Sequence, residues 1–266
     1  MTRKTKPIRS DIAWSTPERI EVHGQSLPDE LLGHINLGDM AFLLLVGRRP
    51  TPQESVLFNA VAVTLVEHGI TPSSLAARLT YAGAPEALQA AVAAGLCGLG
   101  TVFVGSTEGT AKMLYEALPQ GTKGTTSADL ERIARDTVAA FRVRGQIVPG
   151  LGHPVHKPID PRTPRLFQLA KDNGFSGDYI RLEQLICAET QRVTGKTLPI
   201  NATGAIGAIC CELGLPWQIV RGIGVFARAI GLVGHILEES RNPIALEVWQ
   251  RVEDEATAHI RPEAAA

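Results

Sequence analysis

Sixteen residues, Ile147 to Arg162, hold four prolines (Pro149, Pro154, Pro158, Pro161), two glycines (Gly150, Gly152), two histidines (His153, His156), Lys157 and Arg162. Proline fixes φ and removes a backbone donor, while glycine admits conformations closed to other residues, so no regular helix passes through this stretch. The flanking segments read as helix. The chain is therefore constrained to be helices set about one stiff, irregular loop. Holding such a loop in shape costs conformational entropy, and loops of this kind commonly carry binding groups. A plain helix-to-helix connector is the other reading of the stretch taken alone.

The remaining punctuation is that of helices. Residues 1–18 show no periodicity and are expected to form a partly ordered arm. Arg19 to Gly24 alternates before a glycine, which suits a short hairpin. Pro28 to Val46 has helical recurrence, broken near Gly38. Thr51-Pro52-Gln53-Glu54 places an N-cap, a first-position proline and a third-position glutamate in order, and starts a helix to about His68. Further helices are expected from Thr71, from Ala84 to Leu99, from Phe103 to Leu118, over 127–141, 163–173 and 178–195, from Asn201 to Leu213, from Trp217 to Glu239, and after Pro243. No convincing set of strands and no repeat is found, so the expected class is all-α.

Composition narrows the function. The chain is 44% hydrophobic and 20% charged with a net charge of −1, an ordinary globular balance with no basic field to gather nucleic acid. Cys97, Cys187, Cys210 and Cys211 lack metal-ligand spacing and sit in apolar helical runs, so they are expected to be small buried side chains in a reducing cytoplasm. Nothing in the pattern calls for a metal. The basic amino terminus has no apolar core of the signal-peptide kind. Gly222 to Leu237 is the most apolar run but carries Arg228 and His235, and is expected to be a buried helix rather than a membrane span.

Among seven histidines, His23, His34 and His259 need no special role. His68 ends a helix just before a capped restart, where its ring could face a cleft. His153 stands directly behind Gly150-Leu151-Gly152. Arg162, Arg228 and Arg241 form a second group, and a guanidinium such as Arg228 within an apolar helix needs an anion for its donors, either a ligand or an internal carboxylate. Imidazoles with several arginines suit a polycarboxylate site: the arginines hold carboxylates and the imidazoles handle a hydroxyl or carbonyl.

Several ordered motifs then resemble the citrate synthase superfamily: Glu67-His-Gly-Ile-Thr-Pro-Ser-Ser-Leu-Ala-Ala-Arg78, Gly150-Leu-Gly-His153 with Asp160-Pro-Arg162, and Ala227-Arg-Ala-Ile-Gly231 with Gly234-His-Ile-Leu-Glu238. The resemblance runs from about residue 10 to 245. In length, and over Gly95 to Leu114, the chain is most similar to the citryl-CoA lyase module at the carboxyl end of ATP-citrate lyase. Citrate synthases carry a histidine that polarises the acetyl thioester where Phe103 stands here, so the resemblance implies cleavage of a 3-hydroxy-acyl-CoA such as citryl-CoA to acetyl-CoA and oxaloacetate, not net citrate synthesis. A citrate synthase-like acyltransferase acting on another acyl-CoA is the alternative.

The resemblance also implies a citrate synthase-like architecture, with a large domain of residues 1–118 and 221–266, a small domain of 119–220, and the active site in the cleft between them. It implies His153 on the reacting oxygen, His68 at the same end of the substrate, Arg162 and Arg228 on carboxylates, Asn201 and Phe103 among the residues that contact substrate, and Arg241 donated across a homodimer or homotetramer. Pro149, Gly150, Leu151 and Gly152 would lie along coenzyme A, with Lys157 at its phosphates; the CoA thioester is substrate or product, and no further cofactor is implied. Thr203, in Asn201-Ala-Thr-Gly204, stands where the family has a catalytic aspartate. Three readings follow: Thr203 positions a water while Asp160, His156 or the substrate moves the proton; a related acyl-CoA with other proton demands is used; or the site binds without reacting.

Overall fold

The computed structural model describes residues 7–122 and 124–261. It opens on a small antiparallel sheet, β1 (Ala13–Ser15), β2 (Ile20–Val22) and β3 (Gln25–Ser26), in the order β1-β2-β3. The hairpin read from Arg19 to Gly24 is present, with His23 and Gly24 at positive φ in its turn. Residues 1–6 of the expected arm lie outside the described residues; within the rest, β1 pairs Ala13 with Val22 and Ser15 with Ile20, a three-residue strand too short to leave a periodic signal.

A helical turn at Leu27–Leu31 leads to α1 (Leu37–Val46), α2 (Pro52–Val66), α3 (Pro72–Gly83), α4 (Leu88–Cys97) and α5 (Gly105–Ala117). Both α2 and α3 begin with the full reciprocal cap. Thr51 accepts from the N–H of Glu54 while Glu54 accepts from the N–H of Thr51, and Thr71 and Ser74 repeat the arrangement. The third helix expected from Ala84 starts four residues later, at Leu88. Phe103 lies ahead of α5 rather than in it.

The chain continues through α6 (Ser127–Val143), α7 (Arg162–Asp172), α8 (Asp178–Thr194), α9 (Ala202–Glu212), α10 (Trp217–Arg241) and α11 (Ala245–Thr257). In α9, Ala202 and residues 204–211 are all buried, the mark of a core helix apolar on every side. Helix α10 has 25 residues, and its most apolar window has a mean hydropathy of 1.5, the length and composition of a membrane span. Its buried face nevertheless carries Arg228, His235 and Glu239 and packs on α2, α3, α4, α5 and α9. It is the central helix. The boundary expected at 220/221 falls inside it, and one apolar core runs from Phe42 and Phe58 through Leu114, Leu130 and Ile206 to Ala227.

Cys187, Cys210 and Cys211 are buried as expected, but Cys97 is exposed, because it closes α4 facing away from the core.

Candidate active site

The Ile147–Arg162 loop is pinned along the start of α9. The N–H of Gly152 donates to Pro199 O at 2.7 Å, that of Asn201 to Gly150 O at 3.0 Å, and the Asn201 amide to Gly152 O at 2.7 Å. Gly150 has φ +82, and a Cβ there would come within 2.6 Å of both Gly204 Cα and Thr110 Oγ1. Only glycine permits that approach. Asp160 is the buried anchor below: Oδ1 accepts from Arg162 N and Nε at 3.1 and 2.9 Å, and Oδ2 from Arg162 Nη2 and Ala202 N at 2.8 and 2.9 Å. Burial pushes its carboxyl up, but the Arg162 guanidinium and the two amides outweigh that and hold it down at about 2. Both of its oxygens already accept two hydrogen bonds each, which leaves Asp160 a poor acceptor as well as no donor near neutral pH and sets it in a structural position.

The second wall comes from α2 and α10. A Cβ on Gly231 would lie 2.1 Å from Val66 O, so α10 packs directly on the end of α2. This contact brings His68 and Arg228 to the same opening.

That opening is a cleft of about 1340 Å³. His68, Phe103, Pro149, Gly150, Leu151, Gly152, His153, Arg162, Asn201, Thr203 and Arg228 all line it. Residues up to 160 positions apart in sequence, from His68 to Arg228, are thus gathered around one opening. Two expected residues stand elsewhere. Lys157 and Arg241 are exposed and neither lines this cleft, while Lys112 and Arg144 do. Ser106 also lines it and was not singled out by sequence, since nothing about a serine in Gly-Ser-Thr marks it.

Arg228 is buried, and its Nε and Nη1 have no hydrogen-bond partner; Glu67 Oε2 lies 3.8 Å from Nη1, beyond hydrogen-bonding distance. Burial lowers its pKa, only partly opposed by Glu67. Arg162 uses Nε and Nη2 on Asp160 and keeps Nη1 for another partner.

Three imidazoles cluster opposite. Ring centroids lie 6.1 Å apart for His68 and His153, 5.7 Å for His68 and His156, and 4.4 Å for the stacked pair His153 and His156. Burial, followed by the charges of neighbouring Arg162, His156 and Arg228, holds His68 below its usual range. His153 is lowered by burial and His156, against an opposing Asp160. Both are therefore neutral at pH 7. His153 Nδ1 accepts the N–H groups of Val155 and His156 at 3.1 and 2.9 Å, so its ring proton sits on Nε2. One nitrogen from each of the three rings lies within 4.8 Å of the others, close enough for a transition-metal ion. The fixed His153 tautomer opposes this, since coordination through Nε2 would have to expel the ring's proton while Nδ1 faces two donors.

Thr203 sits in a hydroxyl relay. Ser106 Oγ donates to Thr203 Oγ1 at 2.8 Å, and Thr203 donates to Asn201 Oδ1 at 2.6 Å, which also caps α9 at Gly204 N, 3.0 Å away. One lone pair of Thr203 is left for a water. Among the described residues, Glu116 is the one carboxylate lining the cleft, at the opposite end of α5 from Ser106.

Comparisons with known proteins place the chain by sequence and fold. A structure of citryl-CoA lyase from Hydrogenobacter thermophilus superposes with a TM-score of 0.78 at 30% identity, covering 88% of this chain and 87% of that one. A probable ATP-citrate synthase of Dictyostelium discoideum is 24% identical over 259 residues, 90% of this chain and 39% of the relative. Citrate synthase 2 of Bacillus subtilis is 27% identical over 205 residues, 74% of this chain and 50% of the relative. The chain thus spans half or less of these two curated relatives. The family described as Citrate synthase, C-terminal domain matches residues 19–250, nearly the whole of the described structure, and the chain belongs to that family.

Proposed function

We propose that this chain is a citryl-CoA lyase-type carbon–carbon lyase, cleaving citryl-CoA or a close 3-hydroxy-acyl-CoA to acetyl-CoA and oxaloacetate or a related keto acid. The observation that carries the proposal is Arg228: a buried guanidinium with free donors, in one cleft with Arg162 and two neutral imidazoles, requires a carboxylate ligand. The similarity to a citryl-CoA lyase over most of both chains supports the same substrate class.

In this reading the arginines hold the carboxylates. His153 donates its Nε2–H to the substrate hydroxyl oxygen and keeps that bond as the oxygen becomes a carbonyl. The hydroxyl proton passes to neutral His68, the bond from the carbinol carbon to the thioester methylene breaks, and its electron pair forms the acetyl-CoA enolate. A water accepted by Thr203 protonates that carbon, and the resulting hydroxide recovers the proton from His68. Phe103 offers no hydrogen bond to the thioester oxygen, so the enolate is stabilised without a side-chain donor at that position in either direction of the reaction. Lys112 and Arg144 at the rim suit the phosphates of CoA better than Lys157. Arg241, outside its own cleft, would serve a neighbour's site in a homodimer or homotetramer.

One observation favours a second reading, a homologue that binds oxaloacetate or CoA without turnover: no carboxylate stands at Thr203, and Glu116 is remote from it. Incubation of purified protein with citryl-CoA, reading oxaloacetate through a malate dehydrogenase couple, tests the lyase. Release that falls by about 10²-fold or more in His153→Leu supports it. Release unaffected by that substitution overturns the site assignment.

A further inference from the structure

Behind the cleft lies a polar chain that none of the proposed chemistry touches. Glu67 follows α2 directly. Its Oε1 accepts the N–H groups of His68 and Gly69 at 2.8 and 2.6 Å, and its Oε2 lies 3.0 Å from His235 Nε2 and 3.8 Å from Arg228 Nη1. His235 is two turns beyond Arg228 on the buried face of α10. Its Nδ1 faces Arg78 Nε and Nη2 at 3.1 and 2.9 Å. Arginine has no lone pair to offer, so Nδ1 is the acceptor and the ring proton is on Nε2, which lies 3.0 Å from Glu67 Oε2 without hydrogen-bond alignment, a charge–dipole contact. Arg78, fully buried, is fixed in turn by Glu238 and by Glu239 Oε2 at 2.8 Å, and Glu239 Oε1 accepts from Ile244 and Ala245 N at 2.9 and 2.8 Å at the start of α11. Neither Glu67, His235 nor Arg78 lines the cleft.

We infer that Glu67, oriented by His235 and Arg78, is the positioning residue of this site: one carboxylate oxygen sets the His68 main chain and the other holds Arg228 in place without saturating it. A full ion pair would have filled the donors of Arg228. A separation of 3.8 Å steadies the guanidinium while leaving Nε and Nη1 for a ligand carboxylate. Outer groups of this kind, which aim a residue that meets the ligand, are worth about 10- to 100-fold when removed from other sites. The assignment rests on the proposed function only in taking oxaloacetate as the probe.

A purely electrostatic role would give the opposite sign. If Glu67 were simply an anion competing for Arg228, its neutral replacement would tighten anion binding. The positioning role predicts that Glu67→Gln weakens oxaloacetate binding, measured by titration calorimetry, by about 10-fold or more. His235→Leu should match it, while His235→Gln, whose amide keeps a polar N–H beside Glu67, should stay within about 3-fold of wild type. A second measurement needs no ligand: amide hydrogen exchange at His68 and Gly69 in Glu67→Ala should accelerate at least about 10-fold, with the interior of α2 unchanged. Oxaloacetate binding unchanged or tighter in Glu67→Gln, or unchanged exchange at His68 and Gly69, overturns the inference. If wild type binds no oxaloacetate, the proposed function fails, and the exchange measurement alone decides whether Glu67 holds the loop.

Discussion

Ser106 donates its hydroxyl to Thr203 at 2.8 Å while Thr203 donates its own to Asn201 at 2.6 Å, which leaves Thr203 one lone pair to hold a water and its proton already committed. Replacing Thr203 by Val keeps the shape and removes the hydroxyl. Asn201 retains the Gly204 N–H, so the fold should lose no more than about 1 kcal/mol. Release of oxaloacetate from citryl-CoA should fall about 10-fold or more, and equal rates in the two proteins would remove Thr203 from the chemistry.

Arg228 should trade stability for binding. A buried guanidinium with two unpartnered nitrogens is a cost to the fold, so Arg228→Met is expected to stabilise the protein by about 1–3 kcal/mol in urea unfolding. The same variant should lose oxaloacetate binding by about 100-fold or more. Lower stability together with intact binding would identify Arg228 as a structural residue.

Glu183 on α8 is fully buried, and both of its carboxyl oxygens lack partners beneath the contact of Gly150 with Gly204. Burial alone pushes it up to about 8 from 4.5. The unfolded chain releases this proton near 4.5 and the folded chain keeps it to about 8, so the folded state binds more protons across that window and stability falls as pH rises through it. The slope from this group is about 1.4 kcal/mol per pH unit. Glu183→Gln should flatten it and make the variant the more stable protein at pH 8; parallel stability curves for the two proteins over pH 5–8 would exclude the effect.

His68 and His153 are both held below 6.5, chiefly by burial. Their unfolded forms take up protons first as pH falls, so stability contributed by these rings rises with pH through the window just below 6.5. Cleavage needs both rings neutral, and its rate should therefore be level above pH 6.5 and decline only below it. A decline that begins above pH 7 would mean that neither ring is the titrating group.

The sequence was most legible where chemistry is local. Thr51-Pro-Gln-Glu54 announces α2 through residues three apart, and the prolines and glycines of 147–162 announce the loop. The residue types of the cleft were legible from the histidines and arginines, and the family motifs place His68, His153 and Arg228 in order without showing that they meet. What escaped depends on long-range contact. Arg78 and His235 are 157 residues apart, and Ser106 and Thr203 are 97 apart. No periodicity links such pairs. Strand β1 escaped for another reason: three residues carry too little alternation to separate a strand from an arm.

The most direct measurement is oxaloacetate release from citryl-CoA by wild type beside Thr203→Asp. An active lyase that works through a water at Thr203 predicts release by wild type above the spontaneous rate. Introducing a carboxylate should then change that rate without being required for it. No release by wild type, with Thr203→Asp restoring it, would contradict the lyase and leave a protein that keeps the family's cleft for binding alone.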